Sequence, residues 1–330
     1  MKTFGIASLT ILFLSLSAYA QTIPVSACGA DLNVKGGKYI LTQDIGPCPG
    51  NGVNITANNV KFDLNGFTIT GSGGSIGINV TGSRARISGG TVSTFETGIL
   101  LQGGSRHDVH GMTVTRYDGG IELLGSNHNH LHDNTVTNGE FGIALNDSDN
   151  NRFDNNHIGS HFYSGVQLFD SHFNHFTGNE SRNTIVGSGF ELMMSNDNVF
   201  TSNRGIGNDG SGFWVRMSAN NSLRDNTADS NFIAGIELST SSNNTVQNNT
   251  ASRNRLTGIF LGLSDNNTIK GNTATGNFFE DGIALVISSG NVVKNNTALD
   301  NGGFDLSDNN CPFNDWRNNV FGTSFGSCVD

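Results

Sequence analysis

Along most of this chain a glycine is followed by an apolar residue, then any residue, then a second apolar residue. The unit reads GINV at Gly77, GILL at Gly98, GIEL at Gly120, GIAL at Gly142, GVQL at Gly165 and GFEL at Gly189. It continues as GFWV at Gly212, GIEL at Gly235, GIFL at Gly258, GIAL at Gly282 and GFDL at Gly303. Successive glycines are 21–24 residues apart. The period-two alternation predicts a short strand whose first and third residues after the glycine face a core, while the second and fourth face out. No stretch keeps a 3.6-residue period over the length of a helix.

Two polar columns accompany the strand. Nine residues after the glycine stand Asn129, Asn151, Asn174, Asn198, Asn221, Asn244, Asn267 and Asn291. Fourteen residues after it stand Asn134, Asn156, Asn179, Asn203, Asn226, Asn249, Asn272 and Asn296. One apolar position separates them, with Phe153, Phe176, Phe200, Leu223 and Val246 among its occupants, and another short apolar-bearing run completes the unit. Each repeat therefore predicts three short strands joined by turns. Asn suits such turns because it tolerates left-handed backbone and its amide can bond to backbone or to the Asn stacked above it.

One repeat cannot bury its own apolar residues, whereas stacked repeats can. The prediction is an all-β, single-stranded, right-handed parallel β-helix of about eleven turns, with equivalent residues about 4.8 Å apart. Residues 21–60 read as an N-terminal cap with leading strands, 61–308 as the solenoid and 309–330 as a C-terminal cap. Pro24, Pro47, Pro49 and Pro312 all lie in the end regions, where a missing N–H interrupts no regular ladder. On these repeats the sequence resembles the pectate-lyase-like superfamily of right-handed β-helix proteins with NosD/PbH1-type repeats, over about residues 60–320. The resemblance implies the fold. For activity it implies a range of lyases, hydrolases, epimerases, accessory proteins and scaffolds. The chain carries neither the Arg-x-Pro segment of pectate lyases, nor the Gly-His-Gly block of polygalacturonases, nor the Asp-Pro-His-Asp of alginate epimerases.

Residues 1–20, MKTFGIASLTILFLSLSAYA, have a basic start, an apolar run and an Ala-x-Ala ending, and so predict a secretory signal peptide. The expected location is secreted or periplasmic, with no transmembrane segment in the mature chain. The four cysteines lie near the two ends, and an oxidising compartment favours the local pairs Cys28–Cys48 and Cys311–Cys328. Net charge is -10, with 18 Lys and Arg against 28 Asp and Glu. That balance argues against a nucleic-acid partner, and no basic rail stands out along one column. Oligomeric state is left open.

The expected partner is a polysaccharide or oligosaccharide, lying over the outward face of the GIxL strands. That face carries apolar and aromatic residues where exposure is predicted, including Phe169 and Trp214, with Gln167 beside them and Tyr117 and Tyr163 at its edge. Two residues before the glycine, Glu96, Asp118 and Glu140 occupy one column in successive turns, with Glu122 nearby. Carboxylates so close shift one another's proton affinity or share a cation. Asp118, Glu140, Glu122, His161 and Arg116 are the candidate catalytic groups for a lyase, C5-epimerase or glycoside hydrolase. Glu96, Asp118 and Glu140 are the candidate calcium ligands. All nine histidines lie between residues 107 and 175. Their stacked columns make copper or zinc an alternative, on a non-catalytic carbohydrate-binding or metal accessory scaffold.

Overall fold

The computed structural model describes residues 22–329; the expected signal peptide lies outside them. The chain coils into an all-β, right-handed parallel solenoid of about 13 turns, two more than the repeats alone suggest. The extra turns come from the N-terminal segment, whose strands Thr22–Val25, Lys38–Leu41 and Lys61–Asp63 already pair parallel in ladder register. Each regular turn contributes to three ladders. In one such turn these are Val166–Phe169 on the GIxL ladder, His175–Thr177 on the second and Glu180–Arg182 on the third. Both local disulfides, Cys28–Cys48 and Cys311–Cys328, are formed.

The repeat glycine is explained by close approach. A Cβ on Gly258 would lie 2.5 Å from the backbone oxygen of Gly282, and one on Gly189 would lie 2.7 Å from that of Gly212. No side chain fits where each turn seats on the next. The last repeat shows the converse. Leu306 pairs with Ile283, so Asp305, and not Gly303, holds the glycine position, and the expected register of GFDL is shifted by two. Phe304, predicted to face inward, is 42% exposed.

The interior is layered. Phe153, Phe176 and Phe200 stack on the second ladder with centroids 4.4 and 4.6 Å apart. Both asparagine columns are buried ladders. In the first, each backbone N–H donates to the side-chain oxygen of the Asn one turn on, at 2.7–3.0 Å from Asn129 to Asn314. From Asn174 onward the amide nitrogens donate to carbonyls of the preceding turn, as Asn244 does to Ser218 at 3.0 Å. Burial without those bonds would be costly. The structure adds two ladders not anticipated above. One is a buried serine column from Ser126 to Ser288. The other is a third amide column, Asn208, Asn231, Asn254, Asn277 and Asn301, which ends on the Asp305 carboxylate.

His161 belongs to that third column. Its carbonyl accepts from Ile185 as the carbonyl of Asn208 accepts from Phe232, and it lies two turns before the column becomes all Asn, with Thr184 on the turn between. The ring is fully buried, with Nε2 3.1 Å from the Val136 carbonyl. Burial lowers its pKa to about 4 against opposing backbone hydrogen bonds, and burial does the same to His107, which takes the Asn place at the start of the first column. Both rings protonate more readily in the unfolded chain. Stability therefore falls as pH drops from about 6.5 towards about 4, by about 3 kcal/mol per ring, and levels off below. His161→Asn should keep the fold and shrink that loss, read as the difference in urea midpoint between about pH 7 and about pH 4.5. An unchanged difference would remove His161 from the account.

Candidate functional site

The GIxL ladder presents its outward side chains in register. Gln167, Glu191, Trp214, Glu237 and Phe260 follow one another on successive turns, with Phe169, Met193 and Arg216 in the parallel row. The strip is an open face about 19 Å long from the rung spacing. Its carboxylates are held from the neighbouring row, Glu191 by the Ser164 hydroxyl at 2.6 Å and Glu237 by the Ser211 hydroxyl at 2.8 Å. Ser239 also donates to Glu237 at 3.0 Å. Trp214 stands between these two acids, its indole N–H 3.4 Å from Ser239 Oγ and the Arg216 guanidinium 5.3 Å from its centroid. Two carboxylates flanking an aromatic platform suit a sugar chain, because each ring offers an apolar face and a rim of hydroxyls.

The predicted residues divide among three places. Gln167, Phe169 and Trp214 do share the outward strip. Glu96, Asp118 and Glu140 are exposed and in register, since Tyr117 pairs with Phe95 and with Gly139. Their carboxylates form no tight three-ligand cluster among the described residues. Glu122 lies over Gly119 and accepts from Thr97 at 3.4 Å. Burial raises its pKa, the Thr97 bond opposes and Glu96 adds to the rise. Arg116 is exposed at a left-handed corner, φ 58°, where neighbouring turns use Asn138 and Ser160. Tyr163 is exposed on the next corner, stacked on Phe141 at 4.8 Å.

Two assignments are overturned by burial. Tyr117 belongs to the hydrophobic core and cannot reach a ligand on the outer face. His161 is buried in the amide column, so it neither meets a substrate nor serves as a base there. The missed pair, Glu191 and Glu237, was legible as repeated acids in the outward column on either side of the one Trp in that column.

The histidine columns lie on the second ladder. Asp108 Oδ1 is 3.3 Å from His110 Nδ1 and 3.2 Å from His132 Nε2, and His132 Nδ1 is 2.7 Å from Asp133. His110 and His132 stack at 4.8 Å. These separations suit the edge of a tetrahedron with metal bonds of about 2 Å. Arg86 already occupies the place of a cation, with Nε 3.3 Å from Asp108 Oδ2 and a terminal nitrogen 3.4 Å from His110 Nε2. A divalent ion would sit against a guanidinium, so the cluster does not fit a metal centre as it stands.

The same ladder corrects the expectation about basic residues. Lys38, Lys61 and Arg86 pair on consecutive rungs, and so do Lys270, Lys294 and Arg317. Cations on adjacent rungs were hidden because each sits in an otherwise polar run 23–25 residues from the next.

A family model described as "Right handed beta helix region" matches residues 51–188, and one described as "Periplasmic copper-binding protein (NosD)" matches residues 163–325. At the end of that second span Asp308 and Cys311 converge with Cys328, which lies just beyond it, and both cysteines are in a disulfide. No curated protein matches the sequence. Among solved structures, a mutant of the periplasmic alginate epimerase AlgG aligns at 13% identity and TM-score 0.62, covering 86% of this chain and 77% of that one. The A-module of the Azotobacter vinelandii mannuronan C-5 epimerase AlgE4 aligns at 15% and 0.55, covering 92% and 86%. The catalytic unit of the GH87 α-1,3-glucanase from Streptomyces thermodiastaticus strain HF3-3 aligns at 12% and 0.70, covering 89% of this chain and 65% of that one. At these identities the likeness is one of fold.

Proposed function

We propose that this right-handed parallel β-helix repeat protein is an exported glycan-binding protein that holds a neutral polysaccharide strand along the outward face of its GIxL ladder. The observation that carries the reading is Trp214 between Glu191 and Glu237 on consecutive rungs. The indole offers an apolar platform to a sugar ring, and the serine-held carboxylates accept from hydroxyls on either side. The strip carries Glu191 and Glu237 with Arg216 as its one cation, so it repels a polyanion and favours an uncharged chain. Structural relatives that are alginate epimerases and a glucanase support glycans as the ligand class. Two disulfides suit an oxidising compartment outside the cytoplasm. Retardation in gels containing neutral polysaccharides such as glucans, mannans and xylans tests the proposal. Retardation by none of them would overturn it.

A second reading adds turnover. Glu191 and Glu237 are two rungs apart, roughly 10 Å between backbones, and outward side chains can bring the carboxyls near the separation of about 6.5–9.5 Å used by inverting glycosidases. If the protein cuts the glycan it holds, reducing ends should appear and Glu237→Gln should lower their rate by at least about a hundredfold. Binding with no release of reducing ends leaves the protein a binding module.

A further inference from the structure

Charge is sorted between the faces of this solenoid. On the outward positions of the second ladder stand Lys38, Lys61, Arg86, Arg152, Arg224, Lys270, Lys294 and Arg317, eight of the chain's 18 Lys and Arg. The same positions hold four of its 28 Asp and Glu, namely Asp63, Asp108, Asp154 and Asp315. A protein of net charge -10 thus carries one face with twice as many cations as acids.

The C-terminal half of that face is the most one-sided. Arg224, Gln247, Lys270, Lys294 and Arg317 occupy a single column on five consecutive rungs. Arg317 pairs with Asp315, but Lys270 and Lys294 have no ion pair and no side-chain hydrogen bond among the described residues. Like charges facing each other on adjacent strands are unfavourable. The row beside them is Ser222, Thr245, Thr268, Val292 and Asp315, hydroxyl-bearing in three of five places and acidic only at its last. Two unpaired cations about 4.8 Å apart, flanked in the same column by Arg224 and Arg317 and with hydroxyls alongside, suit a ligand with a regular row of anions.

We infer that this face binds a linear acidic polysaccharide, a polyuronate strand lying along the solenoid axis with its carboxylates over Lys270, Lys294 and Arg317. One rung is close to the length of one sugar residue in an extended chain, so successive carboxylates meet successive cations. Lys38, Lys61 and Arg86 offer a second anchor at the other end of the same face. Single-stranded nucleic acid is disfavoured, because it needs aromatic platforms for its bases. Among the described residues, histidines are the only aromatic side chains at the outward positions of this ladder. The neutral-glycan strip and this face are separate surfaces of opposite sign, so the inference stands independently of the proposed function.

The test is binding of polygalacturonate to the full chain by isothermal titration at low salt, with dextran titrated into Trp214→Ala as the uncharged control. Binding is expected for polygalacturonate and should weaken at least about tenfold when salt is raised to physiological strength. The double variant Lys270→Gln, Lys294→Gln should lose about tenfold in affinity at low salt while melting at the same temperature or higher, since like-charge repulsion is relieved. Trp214→Ala should bind polygalacturonate as the parent does, which separates this face from the other. Absence of binding at low salt, or undiminished binding by the double variant, overturns the inference. Displacement by a single-stranded oligonucleotide at equal charge concentration overturns the assignment to a polysaccharide.

Discussion

Asn226→Ala should destabilise the protein by about 4 kcal/mol, the cost of leaving several buried polar groups unpaired at about 1–3 kcal/mol each. The Asn226 side-chain oxygen accepts from the Asn203 backbone at 2.8 Å and from the Asn203 amide at 3.2 Å. Its nitrogen donates to the Phe200 carbonyl at 3.0 Å and to Asn249 at 3.0 Å. Alanine removes all four bonds and puts nothing in their place, at a buried position. Urea unfolding of parent and variant reads the difference. The control is Asn243→Ala, an exposed turn residue at φ 60° whose side chain makes no ladder bond and whose loss should cost far less. Equal losses at the two positions would mean that the amide columns contribute no more than turn propensity.

Trp214→Ala should weaken binding of the neutral glycan roughly thirty-fold, corresponding to about 2 kcal/mol for losing an aromatic platform. The side chain points outward between two acids and packs on no core residue, so folding should survive. Affinity electrophoresis of parent and variant on the same glycan measures the loss. Trp214→Phe should recover a good part of it, because the apolar face is retained while the indole N–H that reaches Ser239 is not. Unchanged retardation of Trp214→Ala would move the binding surface off this strip, whatever glycan is bound. The exposed corner carrying Phe162, Tyr163, Phe232, Ile233, Phe278 and Phe279 would then be the next surface to alter.

The order of these effects follows from where the polar groups are. A buried amide has no water to fall back on, so its bonds count nearly in full. An outward carboxylate or lysine is solvated in the free protein, so its contribution appears mainly in binding and depends on salt.

Much of the architecture follows from the chain alone. The Gly–apolar–x–apolar unit and the two asparagine columns define the repeat, its length and the inward positions, because a period of about 23 residues leaves a stacked coil as the way to bury them. The two cysteine pairs are local enough for spacing to favour them. The role of Asn151 and Asn156 as framework was also legible, since a residue that recurs on every turn serves the stack. Three matters depended on tertiary structure. The number of turns was understated because the first turns lack the motif, and the register of the last repeat was hidden because Asp305 stands at the glycine position beneath the final strand Ser324–Phe325. Burial decided against Tyr117 and His161, whose polar side chains suggested chemistry while their columns place them inside. The face charges required register. Lys270 and Lys294 are 24 residues apart in sequence and become neighbours only when strand pairing sets one turn on the next. A repeat motif specifies the coil because each turn obeys it separately, whereas a surface is made from residues of different turns, and only the stacking brings them together.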